Sequence, residues 1–114
     1  MIPAKITISS TNPKLPPQIV DGFVPYEGAP LAVTPFYKWG RARWIATDEW
    51  CISHIPTGRQ VGTNEGHKWD TPQEAMVVLN KCRPDFPAWF VARGGIETDA
   101  ATQACHLIFK AAVK

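Results

Sequence analysis

The sequence predicts an α+β fold in which an antiparallel sheet packs against two helices. Three observations support this: short runs of alternating apolar and polar residues, two later runs with helical spacing, and a concentration of the eleven prolines in residues 1–35. A chain of 114 residues, 45% of them hydrophobic, is long enough for one core. We therefore expect a single domain over 1–114, with 1–35 as an extended arm wrapping an α+β core of 36–114.

The arm carries two short strand signals. Ala4–Ser9 alternates apolar and polar side chains, which is typical of a half-buried strand. Residues 10–30 are rich in turn formers but keep enough apolar side chains to lie over the core. Leu31–Thr34 predicts a short strand, and the prolines at 30 and 35 place it at an edge or an end, because proline cannot donate to a ladder.

The next segment predicts a three-stranded meander. Strand-like runs alternate with turn residues in the order Trp44–Ala46, turn Thr47–Glu49, Trp50–Ile55, turn Pro56–Gly58 and Arg59–Val61. In the middle strand, one face carries Trp50, Ile52 and His54 and is bulkier than the other. We expect a helix to pack on that face.

The first helix has a specific start signal. Thr71 suits the N-cap position, Pro72 the first helical position, and Glu74 the reciprocal position of a capping box. Apolar residues then recur at helical spacing until Pro84 forces the residue before it out of helical geometry. The helix should therefore cover about three turns.

A second helix is predicted near the C-terminus. Trp89–Arg93 reads as a strand and is followed by a glycine pair. Thr98 or Asp99 then caps an amphipathic run that continues to Ala112.

Cysteine and histidine patterns argue against an enzyme or a metal protein. Cys51, Cys82 and Cys105 form no paired spacing, and no histidine pair has the spacing of zinc ligands. Cys51 and His54 point to opposite faces of a strand, so they do not form a dyad. We expect no catalytic residues, no metal and no cofactor. Reduced thiols and the lack of a leader or membrane-spanning segment favour a cytoplasmic protein without a membrane partner.

One stretch, Phe36–Trp44, stands out because it interleaves basic and aromatic residues. Aromatic rings can stack on bases while lysine and arginine neutralise phosphates. Alternation along a strand could instead send the aromatic rings inward and the cations to solvent, as in any half-buried strand. The candidate nucleic-acid-binding residues are Lys38, Trp39, Arg41, Arg43 and Trp44, extended by Arg59 and Lys68.

Residues 44–75 also carry a family resemblance. The strand pattern, the Pro56-Thr57-Gly58 turn and the helix start at Asp70–Ala75 resemble small DNA-binding domains with a three-stranded sheet and one helix. These are the plant ethylene-response-factor domains and the arm-binding domains of phage integrases. The resemblance implies a sheet that enters the major groove through arginine and tryptophan side chains, with the helix packed behind it.

Two functions follow from these patterns. The first is a small accessory protein that binds DNA or RNA through a basic, aromatic sheet surface. The second is a protein-binding inhibitor or adaptor, encoded by a phage or mobile element, that occludes a surface of a host protein. Exposed tryptophan, tyrosine and arginine anchor protein interfaces, so the same residues serve either function. The patterns predict no oligomeric state.

Overall fold

The computed structural model describes residues 1–10, 12, 14–56, 58–61, 63 and 66–82, which form five strands and one helix. The strands follow one another as an antiparallel meander, so the predicted antiparallel sheet and one of the two predicted helices are confirmed. The strand at Trp89–Arg93 and the helix from Thr98 or Asp99 to Ala112 lie outside the described residues. The elements are β1 (Ile2–Ile8), β2 (Gln18–Val24), β3 (Leu31–Gly40), β4 (Arg43–His54), β5 (Gln60–Val61) and α1 (Pro72–Cys82).

The N-terminal segment is part of the sheet. Residues 1–35, which we expect as an arm over the core, are extended and supply β1, β2 and the first half of β3. β1 pairs with β2 along its whole length, and the exposed cross-strand pair Lys5–Asp21 forms a salt bridge. Pairing satisfies backbone groups that a loosely wrapped arm would leave without partners.

β3 and β4 form one long hairpin, which corrects two predictions. Leu31–Thr34 is not an edge strand, because β3 continues past Pro35 in the middle of the sheet. Thr47–Glu49 is not a turn, because β4 runs through it without a break. The pairing shifts register here, so that Phe36 stands opposite residues 47–49 in a bulge. The bulge interrupts the ladder beside Pro35, and turn-forming residues fill it.

The half of the hairpin farther from its turn, where residues 31–34 pair with residues 51–54, is buried on both faces. On one face, Leu31, Val33 and Ile52 pack against Ala75 and Leu79 of α1, with Trp50 at the margin. This confirms that the helix lies on the bulkier face of the middle predicted strand. On the other face, the core cluster consists of Ile6, Ile8, Val20, Val24, Ala29 and Ala32.

The sheet curls until its two ends meet. β2 joins β3 at the pair Phe23 and Val33, so the β1–β2 hairpin can cross over the second face of β3 and β4. At the far end, Ser9 N donates to Gly58 O at 2.7 Å, which joins the end of β1 to the loop that precedes β5. Ser9 and Ser10 are therefore carried to the β4–β5 side of the molecule.

The start of α1 agrees with the capping signal. Thr71 Oγ1 accepts a hydrogen bond from Glu74 N at 3.2 Å, and Pro72 opens the helix. We expect Thr71→Ala to lower the free energy of unfolding by ~1 kcal/mol, because one backbone N–H loses its partner. Chemical denaturation measures the change, and Thr71→Ser, which keeps the hydroxyl, is the matched control. An unchanged midpoint in the alanine variant would count against the cap.

Candidate functional site

In the half of the β3–β4 hairpin next to its turn, where residues 37–40 pair with residues 43–46, neighbouring side chains point to opposite faces. Trp39 pairs with Trp44 and Tyr37 with Ala46, so the three aromatic rings share one face. Lys38 alternates with them on the neighbouring positions of β3 and is exposed. Lys38 therefore faces away from Tyr37, Trp39 and Trp44, whereas the fourth ring of the run, Phe36, lies on the side of Lys38.

The hairpin ends in a two-residue turn at Arg41 and Ala42, between the paired residues Gly40 and Arg43. Both turn residues have positive φ, 52° for Arg41 and 63° for Ala42. A type I′ turn requires this backbone, but glycine, asparagine and aspartate adopt it with less strain. The turn leaves Arg41 and Arg43 exposed at the tip of the molecule.

The strain at Ala42 is testable through stability. We expect Ala42→Gly to raise the free energy of unfolding by about 0.5–1 kcal/mol, because glycine adopts positive φ without a Cβ clash. Ala46→Gly is the matched control: Ala46 lies inside β4 with an ordinary negative φ, so glycine there should destabilise the hairpin. Thermal denaturation reads both variants. Destabilisation by Ala42→Gly would contradict the I′ geometry.

The two tryptophans of the hairpin form an edge contact. Their ring centroids are 5.3 Å apart and the rings stand at 79° to each other. Trp44 Nε1 also donates to Pro16 O at 2.8 Å, which ties this indole to the segment between β1 and β2. Trp44 is therefore held by the fold, whereas the Trp39 side chain makes no hydrogen bond within the described part of the chain.

A cleft of about 480 Å³, here called the hairpin cleft, opens beside these rings. One wall comes from β3 and β4, a second from the segment around β5, and a third from the residues after β1. Only the curl of the sheet brings these three parts together. The lining residues are Ser9, Ser10, Phe36, Tyr37, Lys38, Trp39, Trp44, Arg59, Gln60 and Thr63.

Gln60 holds the floor of the cleft in place. Its Oε1 accepts a hydrogen bond from Tyr37 N at 2.8 Å, and its Nε2 donates to Tyr37 O at 3.0 Å. The side chain therefore bonds β3 where the bulge has interrupted the ladder. Both ends of the amide are used by the protein, so Gln60 is a structural residue of the cleft rather than a group that reads a ligand.

A second mixed surface surrounds Phe36. The ammonium groups of Lys38 and Lys68 lie 5.8 Å and 4.8 Å from the centre of its ring. Contacts of this kind stabilise by about 0.5–1 kcal/mol at exposed sites, and they hold two cations side by side. The structure thus brings Lys68 to the hairpin, as the sequence suggests.

Acidic residues border this surface. Asp48 and Glu49 lie in the bulge opposite Phe36, and not in the turn that the sequence predicts for Thr47–Glu49. Thr47 Oγ1 fixes the bulge by donating to Phe36 O at 2.7 Å and by accepting from Glu49 N at 3.2 Å. Asp48 is exposed, so its charge faces solvent.

Cys51 is a buried structural residue. Burial raises the pKa of its thiol to about 12, although hydrogen bonds with Thr34 and Ser53 and the charge of Lys68 pull the pKa down somewhat. Its Sγ contacts Gln60 Oε1 at 3.4 Å, and Thr34 Oγ1 bonds Ser53 Oγ at 2.7 Å beside it. A thiol with a raised pKa stays protonated at pH 7 and is a poor nucleophile.

The raised pKa of Cys51 predicts a loss of stability in alkali. Ionisation costs more in the folded protein than in the unfolded chain, so the thiol's contribution is complete below pH 9 and falls as pH rises from 9 toward 12. Tyr37, whose pKa burial also raises, adds to the same trend. Urea denaturation of wild type and Cys51→Ala between pH 8 and 11 should show a smaller decline in the variant. Parallel curves would contradict this.

The structure gathers the seven candidate residues at one end of the molecule. Lys38, Trp39, Trp44 and Arg59 border the hairpin cleft, Lys68 reaches it through Phe36, and Arg41 and Arg43 form the tip. Sequence reasoning missed Ser9, Ser10, Gln60 and Thr63 as members of the cleft. No local pattern identifies them, because their positions depend on long-range closure of the sheet. Phe36 was detectable, since it opens the basic and aromatic run.

The described residues contain neither a metal-binding cluster nor a membrane-spanning helix. Their histidine, cysteine and carboxylate side chains form no group that could hold a metal ion. The described helix α1 has 11 residues, too few to span the hydrocarbon core of a bilayer. Comparisons with family models, with curated proteins and with solved structures find no match for this chain.

Proposed function

We propose that this protein binds single-stranded nucleic acid through the β3–β4 hairpin and its cleft. The observation that carries the proposal is that five cations lie close to aromatic rings at one end of the molecule. These cations are Lys38, Arg41, Arg43, Arg59 and Lys68. Within the described residues, Lys38, Arg41, Arg43 and Lys68 form no ion pair. Their charges are therefore available to phosphates, and binding would release the counterions that phosphates hold.

A single strand fits this surface better than the face of a duplex. In the families that residues 44–75 resemble, the sheet face opposite the helix reads DNA. Here that face carries Thr34, Cys51 and Ser53, which are all fully buried. The exposed surface is the hairpin beyond them, where aromatic rings border a cleft. Such rings can stack only on bases whose faces are free, as in an unpaired strand.

The test is a salt titration with a labelled single-stranded oligonucleotide. We expect measurable binding at low salt, and a plot of log K against log salt with a slope between roughly −2 and −3.5, since each neutralised phosphate contributes about −0.7. Asp48→Asn should tighten binding severalfold, because it removes an exposed negative charge from the bulge opposite Phe36, whose ring Lys38 and Lys68 contact. No binding to single-stranded DNA or RNA at low salt would disprove the proposal.

A second candidate function, binding of a host protein, is favoured by a groove at the other end of the sheet. The groove has a volume of about 770 Å³ and lies beside the edge strand β1. Ile2 is 46% exposed and Tyr26 37% exposed at its border, and Ile55 lines it. Exposed apolar residues beside a strand edge are typical of peptide-binding surfaces.

The groove can be tested separately from the hairpin. If a host protein binds the wild type but does not bind the Ile2→Lys variant, the result would support the second candidate. Salt-insensitive binding that survives the substitution would not support it. Under either function we propose a location in the cytosol, because Cys51 is a free, buried thiol and the cytosol keeps thiols reduced.

A further inference from the structure

We infer that the hairpin cleft holds one unpaired base, stacked on the indole of Trp39, and this inference rests on the proposed function. Trp39 is half-buried, lines the cleft and makes no side-chain hydrogen bond within the described residues. A large ring that borders a cleft and bonds nothing contributes mainly through its flat faces. Those faces suit a planar, aromatic ligand such as a base.

Trp44 acts as the positioning residue. Its hydrogen bond to Pro16 O fixes its own ring, and its contact with Trp39 is nearly perpendicular. A perpendicular contact covers at most one face of Trp39, so a base can stack on another face. Trp44, which the fold fixes, therefore holds the indole of Trp39 in one orientation before a ligand arrives. This reduces the entropy lost on binding.

The polar groups of the cleft favour the strand's backbone over base identity. Arg59 and Lys38 border the cleft and supply positive charge for phosphate, and the Ser10 hydroxyl, which accepts a hydrogen bond from Asn12 N, keeps its own proton to donate. Gln60, the amide that could read a base edge, is already bonded to Tyr37 through both of its ends. Stacking without an edge reader is tolerant of sequence. We therefore expect similar affinities for oligothymidylate and oligoadenylate.

The experiment compares oligothymidylate with an abasic oligonucleotide of the same length and phosphate count. Wild-type protein should bind the abasic strand roughly tenfold or more weakly, because stacking of the base is lost while the phosphates remain. Trp39→Leu should bind both strands equally, at the affinity that wild type has for the abasic strand. Trp39→Phe, which keeps a ring, should recover part of the difference, and thermal denaturation checks that each variant folds.

The outcomes separate this inference from the proposed function. If wild type binds both strands equally, or if Trp39→Leu keeps the full preference for the strand with bases, the base site is wrong while nucleic-acid binding stands. If wild type binds neither strand at low salt, both proposals fail. The comparison on wild-type protein needs no variant, so a Trp39→Leu protein that does not fold still leaves the inference open to disproof.

Discussion

Replacing Lys38, Arg41 and Arg43 together by Glu is expected to abolish binding of single-stranded oligonucleotides. The three cations lie on the exposed hairpin, and reversing them puts negative charge where the proposed phosphate path runs. Replacing one of them by Ala should weaken binding to every sequence and reduce the steepness of the salt dependence by about one phosphate's contribution. Fluorescence anisotropy with a labelled strand measures both effects.

A matched control separates the hairpin from net charge. Lys5, Lys14 and Lys81 are exposed on β1, on the β1–β2 segment and at the end of α1. Reversing these three lysines changes the formal charge by the same amount but should leave most of the affinity. Equal losses in the two triple variants would mean that overall charge, and not the hairpin, governs binding. Surface charges usually change stability by less than about 0.5 kcal/mol, and the Lys5–Asp21 pair that the control variant loses is itself exposed, so both variants should melt cooperatively.

The sequence predicts the local features of this fold better than its pairing. The cap at Thr71 and the helix that follows it depend on neighbouring residues, and both are present. The sequence predicts a turn at Thr47–Glu49 where the structure has a bulge opposite Phe36, because the same small and polar residues form either structure. The partner strand decides whether a bulge or a turn forms, and local composition does not specify how strands pair across the sheet.

The candidate site shows the same difference between local features, which the sequence predicts, and long-range contacts, which it does not. The run Phe36–Trp44 is visible in the sequence because its residues are adjacent along one hairpin. The other walls of the hairpin cleft come from Ser9, Ser10 and the segment around Gln60, which closure of the sheet brings together. Closure depends on contacts far apart in the chain, so no periodicity along the sequence signals it.

Among the glycines that the structure describes, that closure makes Gly58 the position where a single methyl group should cost most. Gly58 has φ +75°, and a Cβ there would lie 2.7 Å from Thr7 O and 2.8 Å from Ser9 Oγ. Gly58→Ala therefore combines a strained backbone with a clash against β1, and we expect the free energy of unfolding to fall by about 2–4 kcal/mol. Urea denaturation followed by tryptophan fluorescence measures the loss.

Two other glycines separate the strain from the clash. Gly28 has a similar φ of +83° with nothing within 4 Å of its Cβ position, so Gly28→Ala should cost only about 1 kcal/mol from the backbone. Gly22 shows no positive φ, but its Cβ would lie 2.7 Å from Val33 O, so Gly22→Ala isolates the clash. A loss for Gly58→Ala no larger than that for Gly28→Ala would contradict close packing of Gly58 against Ser9. The hairpin cleft would then lack the wall that Ser9 and Ser10 supply, because the same contact carries both residues to the cleft.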